Sequence, residues 1–272
     1  MQVFCILGDA RAAYSKSPAM FSKVMQNVGL NAVYVPFKIS PEKLGSAMGG
    51  VRALNIAGAN VTAPFKEAVI PHLDLLSEGA QIIGAVNTIT CNGSILKGYN
   101  TNAIGFMKAL EKIGIDISGK PALVFGSGGA ARAVIFMLKW LNADPILIAG
   151  RTPKKIDNIV MRIGGIGQVL AKMDTTAVRA HIVVNATSVS NRTDAPEMTA
   201  TVSNLHLSNC RLIVDLNYGK TPSIWQELAR AQNVSFMDGL PILAQQARNS
   251  FFLWTGMDVE VSEFMNAIDH SP

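Results

Sequence analysis

The stretch Ala122-Leu-Val-Phe-Gly-Ser-Gly-Gly-Ala-Ala131 runs from four apolar residues straight into a glycine-rich turn and then into a helical pattern. Strand, G-x-G-x-x-A and helix in that order are what a dinucleotide-binding βαβ unit requires. Gly126 permits the tight turn, Gly128 lets the backbone approach a pyrophosphate, and Ala131 allows the helix to pack closely on the strand. The phosphates then rest on the free N–H groups at the helix N-terminus.

The next apolar run, Ile146 to Ala149, decides which nicotinamide cofactor suits the turn. A carboxylate about 20 residues after the glycines holds a ribose 2′-hydroxyl, whereas a 2′-phosphate calls for cations. The run ends in Gly150-Arg151-Thr152-Pro153-Lys154-Lys155, three bases and no acid. Arg151 can stack on adenine and pair with the phosphate, and Lys154 and Lys155 add charge. The pattern predicts NADP.

Outward from this unit, apolar β-rich runs alternate with helical patterns, the signature of α/β architecture and parallel sheets. Predicted strands are Val3 to Leu7, Ala32 to Pro36, Ile56 to Val61, Ala85 to Thr90, Ala122 to Phe125, Ile146 to Ala149, Ile182 to Asn185 and Leu212 to Leu216. Predicted helices include Ala19 to Val28, Pro64 to Ile70, Ala103 to Ile113, Ala130 to Leu141, Ser223 to Ala231 and Leu240 to Gly256. Ser118-Gly119-Lys120-Pro121 punctuates the chain, and the hinge is expected upstream, at the helix near Ala103.

The 272 residues suffice for two domains, each with its own core. Hydrophobic residues make up 49% and the mean hydropathy is +0.27, yet no apolar run approaches the roughly 20 residues of a bilayer span. Asp9 interrupts the apolar start without a basic region before it, so the expectation is a soluble, cytoplasmic protein. Cys5, Cys91 and Cys210 are odd in number and far apart, and His72, His181, His206 and His270 lack ligand spacing, so no metal site is predicted. The net charge of +5 comes from scattered bases, which suits small anionic ligands rather than nucleic acid.

Four polar strings interrupt the first half at the ends of predicted strands, where ligands of open α/β sheets bind. They are Ser15-Lys16-Ser17-Pro18, Asn60-Val-Thr-Ala-Pro-Phe-Lys66, Gly84-Ala-Val-Asn-Thr88 and Gly98-Tyr-Asn-Thr-Asn102. Hydroxyls, amides and one lysine converging there would suit a polyhydroxylated carboxylate. Each string taken singly also has a structural reading: Ser15 and Ser17 can cap the helix after Pro18, and the Asn and Thr residues can form turns.

Together with Asn185-Ala-Thr-Ser188, Gly239, Gln246-Ala247 and Trp254-Thr-Gly256, these strings make the chain resemble the shikimate dehydrogenase family over nearly its whole length. The resemblance implies NADPH-dependent, reversible reduction of 3-dehydroshikimate to shikimate in the shikimate pathway of aromatic amino acid biosynthesis. It implies an α/β substrate domain with a mixed, mainly parallel sheet, residues 1–102 plus 240–272, and a Rossmann-type NADP-binding domain, residues 103–239. By the same resemblance Lys66 is the catalytic lysine, and Ser15, Ser17, Thr62, Lys66, Asn87, Asn102, Tyr218 and Gln246 contact substrate. Gly126, Ser127, Gly128, Gly129, Ala130, Gly150, Arg151, Thr152, Lys154, Lys155, Leu216 and Gly239 form the NADP site. Monomer and homodimer both occur in the family.

The chain departs from the family at four positions. Asn102 replaces an aspartate that pairs with the lysine and holds a substrate hydroxyl, Tyr14 replaces a histidine, Gly150 an asparagine and Ser190 a glycine. Asn102 bears on the chemistry, because an amide hydrogen-bonds but carries no charge and accepts no proton. Binding is expected to survive and turnover to fall. A diverged quinate/shikimate dehydrogenase-like paralogue, a site variant that traps ligand and a non-catalytic shikimate/NADP-binding protein are the other readings.

Overall fold

Strands with apolar residues on both faces belong in the middle of a parallel sheet. Ala122–Phe125, Ile182–Asn185 and Leu212–Asp215 are buried at every position. The computed structural model describes residues 1–219 and 223–269; His270 lies outside them. The chain divides into two compact units, residues 1–108 with the chain from 243 onward, and residues 109–242.

The first unit holds β1 (Gln2–Gly8), β2 (Ala32–Lys38), β3 (Gly58–Val61), β4 (Leu75–Leu76), β5 (Thr88–Asn92) and β6 (Ile95–Tyr99) in one sheet, ordered β2-β1-β3-β5-β6-β4. The β1–β2, β1–β3 and β4–β6 pairings are parallel, and β3–β5 and β5–β6 are antiparallel. The helices α1 (Ser17–Asn27) and α2 (Leu44–Ala53) follow β1 and β2. Three glycines lower the helix propensity of α2, but Leu44, Met48 and Val51 recur at helical spacing and are buried. The helix α3 (Phe65–Ala68) follows β3, and α4 (Glu78–Ile83) has the Ser77 hydroxyl as its N-cap and a left-handed Gly84 as its stop.

That stop explains why the strand predicted from Ala85 begins only at Thr88. Ala85 to Asn87 leave Gly84 as an irregular lead-in whose backbone bonds go elsewhere: Val86 N–H donates to the Lys66 carbonyl and Asn87 N–H to the Tyr99 carbonyl. Phe21, Tyr34 and Trp254 pack against one another, and the Trp254 indole N–H donates to the Ile89 carbonyl at 2.9 Å.

The helix α5 (Thr101–Ile113) spans the division between the units. The second unit carries β7 (Ala122–Phe125), β8 (Ile146–Gly150), β9 (Ile166–Val169), β10 (Val178–Arg179), β11 (Ile182–Asn185), β12 (Leu207–Ser208), β13 (Leu212–Asp215) and β14 (Ser235–Met237). Its main sheet is parallel in the order β14-β13-β11-β7-β8-β9, and β10 pairs with β12 apart from it. The crossovers include α6 (Gly129–Trp140), α7 (Pro153–Ile163), α8 (Pro196–Ser203) and α9 (Ile224–Ala231). Phe125 and Trp225, with Ile213, Val183 and Leu228, sit in the core beneath them. The helices α10 (Leu240–Thr255) and α11 (Val261–Asp269) close the described chain, and no described helix is long and apolar enough to cross a membrane.

Candidate active site

In the first unit the predicted substrate residues meet around one side chain, Asn87. Its Oδ1 accepts the Thr101 backbone N–H at 2.7 Å. A backbone N–H can only donate, so this bond fixes which end of the amide is oxygen. The two hydrogens of Asn87 Nδ2 are then shared among three acceptors, Thr101 Oγ1 (2.9 Å), Asn102 Oδ1 (3.0 Å) and, farthest, Gln246 Oε1 (3.3 Å). Asn87, Asn102 and Gln246 come from the lead-in to β5, the first turn of α5 and α10.

Beneath them the hydroxyls of Thr88, Thr101 and Ser250 form a triangle with sides of 3.0, 2.8 and 3.1 Å. All three residues are buried. Leaving one such hydroxyl unpaired would cost about 1–3 kcal/mol. Asn60 Nδ2 joins the triangle and also donates to the Asn87 carbonyl at 3.1 Å, while Tyr34 OH donates to Asn60 Oδ1 at 2.7 Å. Asn60, Thr88 and Thr101 belong to the polar strings singled out in the sequence, where they read as ligand or turn residues rather than as support; Tyr34 and Ser250 were missed. A signal existed for Ser250, which lies one helical turn after Gln246 on the same face.

Lys66 stands on α3, which the buried Phe65 pins to the end of β3; Phe65 N–H donates to the Thr62 carbonyl and Thr62 N–H to the Leu7 carbonyl. The Lys66 carbonyl accepts from Val86, one residue before Asn87, so its backbone abuts the amide cluster. Burial pushes its ammonium down from 10.5 to about 8, and among the described residues no carboxylate pairs with it. Ser15 and Ser17 meet each other at the start of α1, the Ser15 hydroxyl accepting from Ser17 N–H at 3.1 Å. Among the described residues no hydrogen bond joins this pair to the Asn87 cluster. Tyr14 is 87% exposed.

In the second unit the glycine loop follows β7 as predicted. Gly126 has φ +127, and a Cβ there would lie 2.9 Å from the Ala186 carbonyl oxygen, so turn and close approach both require glycine. Gly128 is the N-cap of α6, with open space where a side chain would be, and Ala131 is fully buried. Gly150 ends β8, and Arg151, Thr152, Lys154 and Lys155 follow it around the start of α7; these four are exposed, and no carboxylate pairs with the three cations among the described residues. A helix N-terminus with open space above its glycine, and cations without an acid at the end of the next strand, fit a dinucleotide bearing a 2′-phosphate.

Leu216 and Gly239 also lie together, but their relation is to each other. A Cβ on Gly239 would sit 2.2 Å from the Leu216 carbonyl oxygen. Gly239→Ala is therefore expected to cost about 2–3 kcal/mol, from forcing backbone apart in a packed loop, and to show as a lowered thermal midpoint. No change in the midpoint would mean the loop yields freely.

Asp215 ties these loops. Its carboxylate accepts from Asn185 Nδ2, Ser190 Oγ, Ser223 Oγ and both nitrogens of Asn217, and Asn217 Nδ2 also donates to the Thr187 carbonyl. Ser190, fully buried, thus has a use for its hydroxyl. Asp238 is pushed up by burial and then by the charge of Asp215. Tyr218 is half-buried in the loop after β13.

Both halves of the chain are similar to known proteins. Residues 7–89 match the family described as "Shikimate dehydrogenase substrate binding domain", and residues 108–238 match "Shikimate / quinate 5-dehydrogenase". The shikimate dehydrogenase (NADP(+)) of Caldanaerobacter subterraneus subsp. tengcongensis is 35% identical, covering 94% of this chain and 92% of its own. That of Halothermothrix orenii is 37% identical, covering 91% of this chain and 89% of its own. The crystal structure of shikimate 5-dehydrogenase from Thermus thermophilus in complex with NADP(H) and shikimate superposes with a TM-score of 0.85 at 34% identity, over 99% of each chain. With both halves matched and the likeness extending over nearly every residue, the chain belongs to the shikimate dehydrogenase family.

Proposed function

We propose that this protein is an NADP-dependent shikimate dehydrogenase that interconverts 3-dehydroshikimate and shikimate, with Lys66 as proton donor and acceptor and with turnover attenuated by Asn102. The observation that carries the reading is a half-buried lysine, unpaired among the described residues, whose backbone adjoins an ordered cluster of amides, in a chain of this family. In this reading residues 1–102 with 240–272 hold the substrate and residues 103–239 hold NADP, in the cytoplasm.

When bound, NADPH supplies the hydride that adds to the ketone carbon. The protein supplies the proton and the geometry. Lys66 Nζ gives its proton to the ketone oxygen as negative charge develops there, and in the reverse direction takes it from the hydroxyl. The amides of Asn87, Asn102 and Gln246, with Ser15, Ser17, Thr62 and Tyr218, bind and orient the ring. Gly126 to Ala130 would receive the pyrophosphate and Arg151, Lys154 and Lys155 the 2′-phosphate, with Gly150 and Thr152 framing that turn and Leu216 and Gly239 completing the NADP site.

A lysine at about 8 makes a pH signature. Reduction needs the ammonium, so kcat/KM in that direction should be flat below about 8 and fall roughly tenfold per pH unit above it. Oxidation needs the neutral amine and should rise up to the same point. Profiles without an inflection between pH 7 and 9.5 would exclude Lys66 as the proton-transfer group.

Product analysis tests the reaction. Shikimate incubated with NADP and the protein should yield 3-dehydroshikimate by chromatography, with quinate run in parallel. Product from quinate alone would point to the paralogue, and saturable binding with no product to a ligand-binding protein.

A further inference from the structure

Arg132 is the fourth residue of α6, next after the glycine turn and Ala131, and it is buried at 6% exposure. Both conditions disfavour a cation: burial strips its hydration, and the first turn of a helix carries partial positive charge. The guanidinium reaches across to the neighbouring helix, where Nη2 donates to Asn158 Oδ1 of α7 at 2.9 Å. The helices α6 and α7 follow adjacent parallel strands, with Phe125 at the end of β7 level with Ala149 of β8, so both N-termini lie at one edge of the sheet. One N-terminus carries the glycine turn, and the other carries Arg151, Lys154 and Lys155. The two turns begin close together. Gly126 N–H donates to the Ala149 carbonyl at 2.8 Å, and a Cβ on Gly150 would stand 3.5 Å from Ser127 Oγ. Beyond that point no backbone hydrogen bond joins the two segments among the described residues, and the Arg132–Asn158 bond ties them side chain to side chain.

We propose that Arg132 and Asn158 are positioning residues for the cofactor, whose bond holds the glycine turn and the 2′-phosphate cations at the separation that one NADP molecule requires. Neither residue has to touch the nucleotide. A ligand gripped at two points gains from the second grip only as far as the spacing of the two points suits it, whereas a ligand gripped at one point is indifferent to that spacing. The pair thereby contributes to the preference for NADP over NAD. The inference rests on the assignment of these two turns to the pyrophosphate and to the 2′-phosphate.

Calorimetric titration of the full chain without substrate measures Kd for NADP, for NAD, which lacks the 2′-phosphate, and for adenosine 2′-phosphate, which lacks the pyrophosphate. Asn158→Ala removes an uncharged acceptor at an exposed position. It should weaken NADP about fivefold, a small part of the 10² to 10⁴ that linkage supplies, and change the other two ligands by less than about twofold. Arg132→Met should weaken NADP at least as much, and adding Asn158→Ala to it should change nothing further, because the bond is already gone. Thermal melting beside each titration shows that the variants are folded, and Asn158→Ala alone decides the matter if Arg132→Met is not. An unchanged ratio of NAD Kd to NADP Kd in Asn158→Ala would overturn the inference and leave the NADP site standing, as would all three ligands weakening together. Failure of the unaltered protein to bind any of the three nucleotides would overturn the cofactor assignment, and the inference with it.

Discussion

Lys66→Met should lower kcat for shikimate oxidation by about 10² to 10⁴, the range general acid–base assistance supplies, with much less change in KM. Methionine matches the length and burial of the lysine stem, so α3 keeps its seat through Phe65 and through the Val86 bond to the Lys66 carbonyl. Burial holds the ammonium down at about 8, so the folded protein bears a desolvated charge that methionine lacks, and the variant should melt no lower than the parent. Lys66→Arg separates charge from proton transfer. Arginine keeps a cation for binding but does not deprotonate near neutrality, so it should lose oxidation as severely as methionine. A kcat within threefold of the parent in either variant would remove Lys66 from the chemistry.

Asn102→Asp should raise turnover, by up to the same 10² to 10⁴. The carboxylate can keep the Asn87 Nδ2 bond through one oxygen and offer the second to Lys66 or to a substrate hydroxyl. It orients the ammonium, favours its charged form and moves the inflection of the pH profile above about 8. The shift in the profile separates an electrostatic effect from a change in fold. An unchanged turnover number with an unchanged inflection would show that the amide at 102 is as good as a carboxylate.

The second unit was the more legible half of the sequence. β7 and β11 were predicted with their observed bounds, because their residues are buried on both faces and read as unbroken apolar runs. The glycine loop was legible because its spacing has a backbone cause. β9 and β14, at the two edges of that sheet, are short and partly exposed and leave no such run. β6 escaped because Lys97 and Gly98 dilute an alternation that the buried Leu96 and Gly98 do follow. In the substrate-side cluster, strings far apart in the chain pointed to Asn87, Asn102 and Gln246, which do meet. The Thr88–Thr101–Ser250 triangle was invisible, since it arises only when three elements pack and their hydroxyls have no water to bond. Gly239 illustrates the opposite limit: its position was predicted, but the carbonyl that forbids a side chain there belongs to Leu216, across a turn.

The absorbance of NADPH formed from shikimate and NADP by the purified protein tests the central claim most directly. A rate above background that saturates in both ligands, with NAD much slower, is the expected result. No NADPH from the protein or from Asn102→Asp, with both ligands bound, would contradict the account.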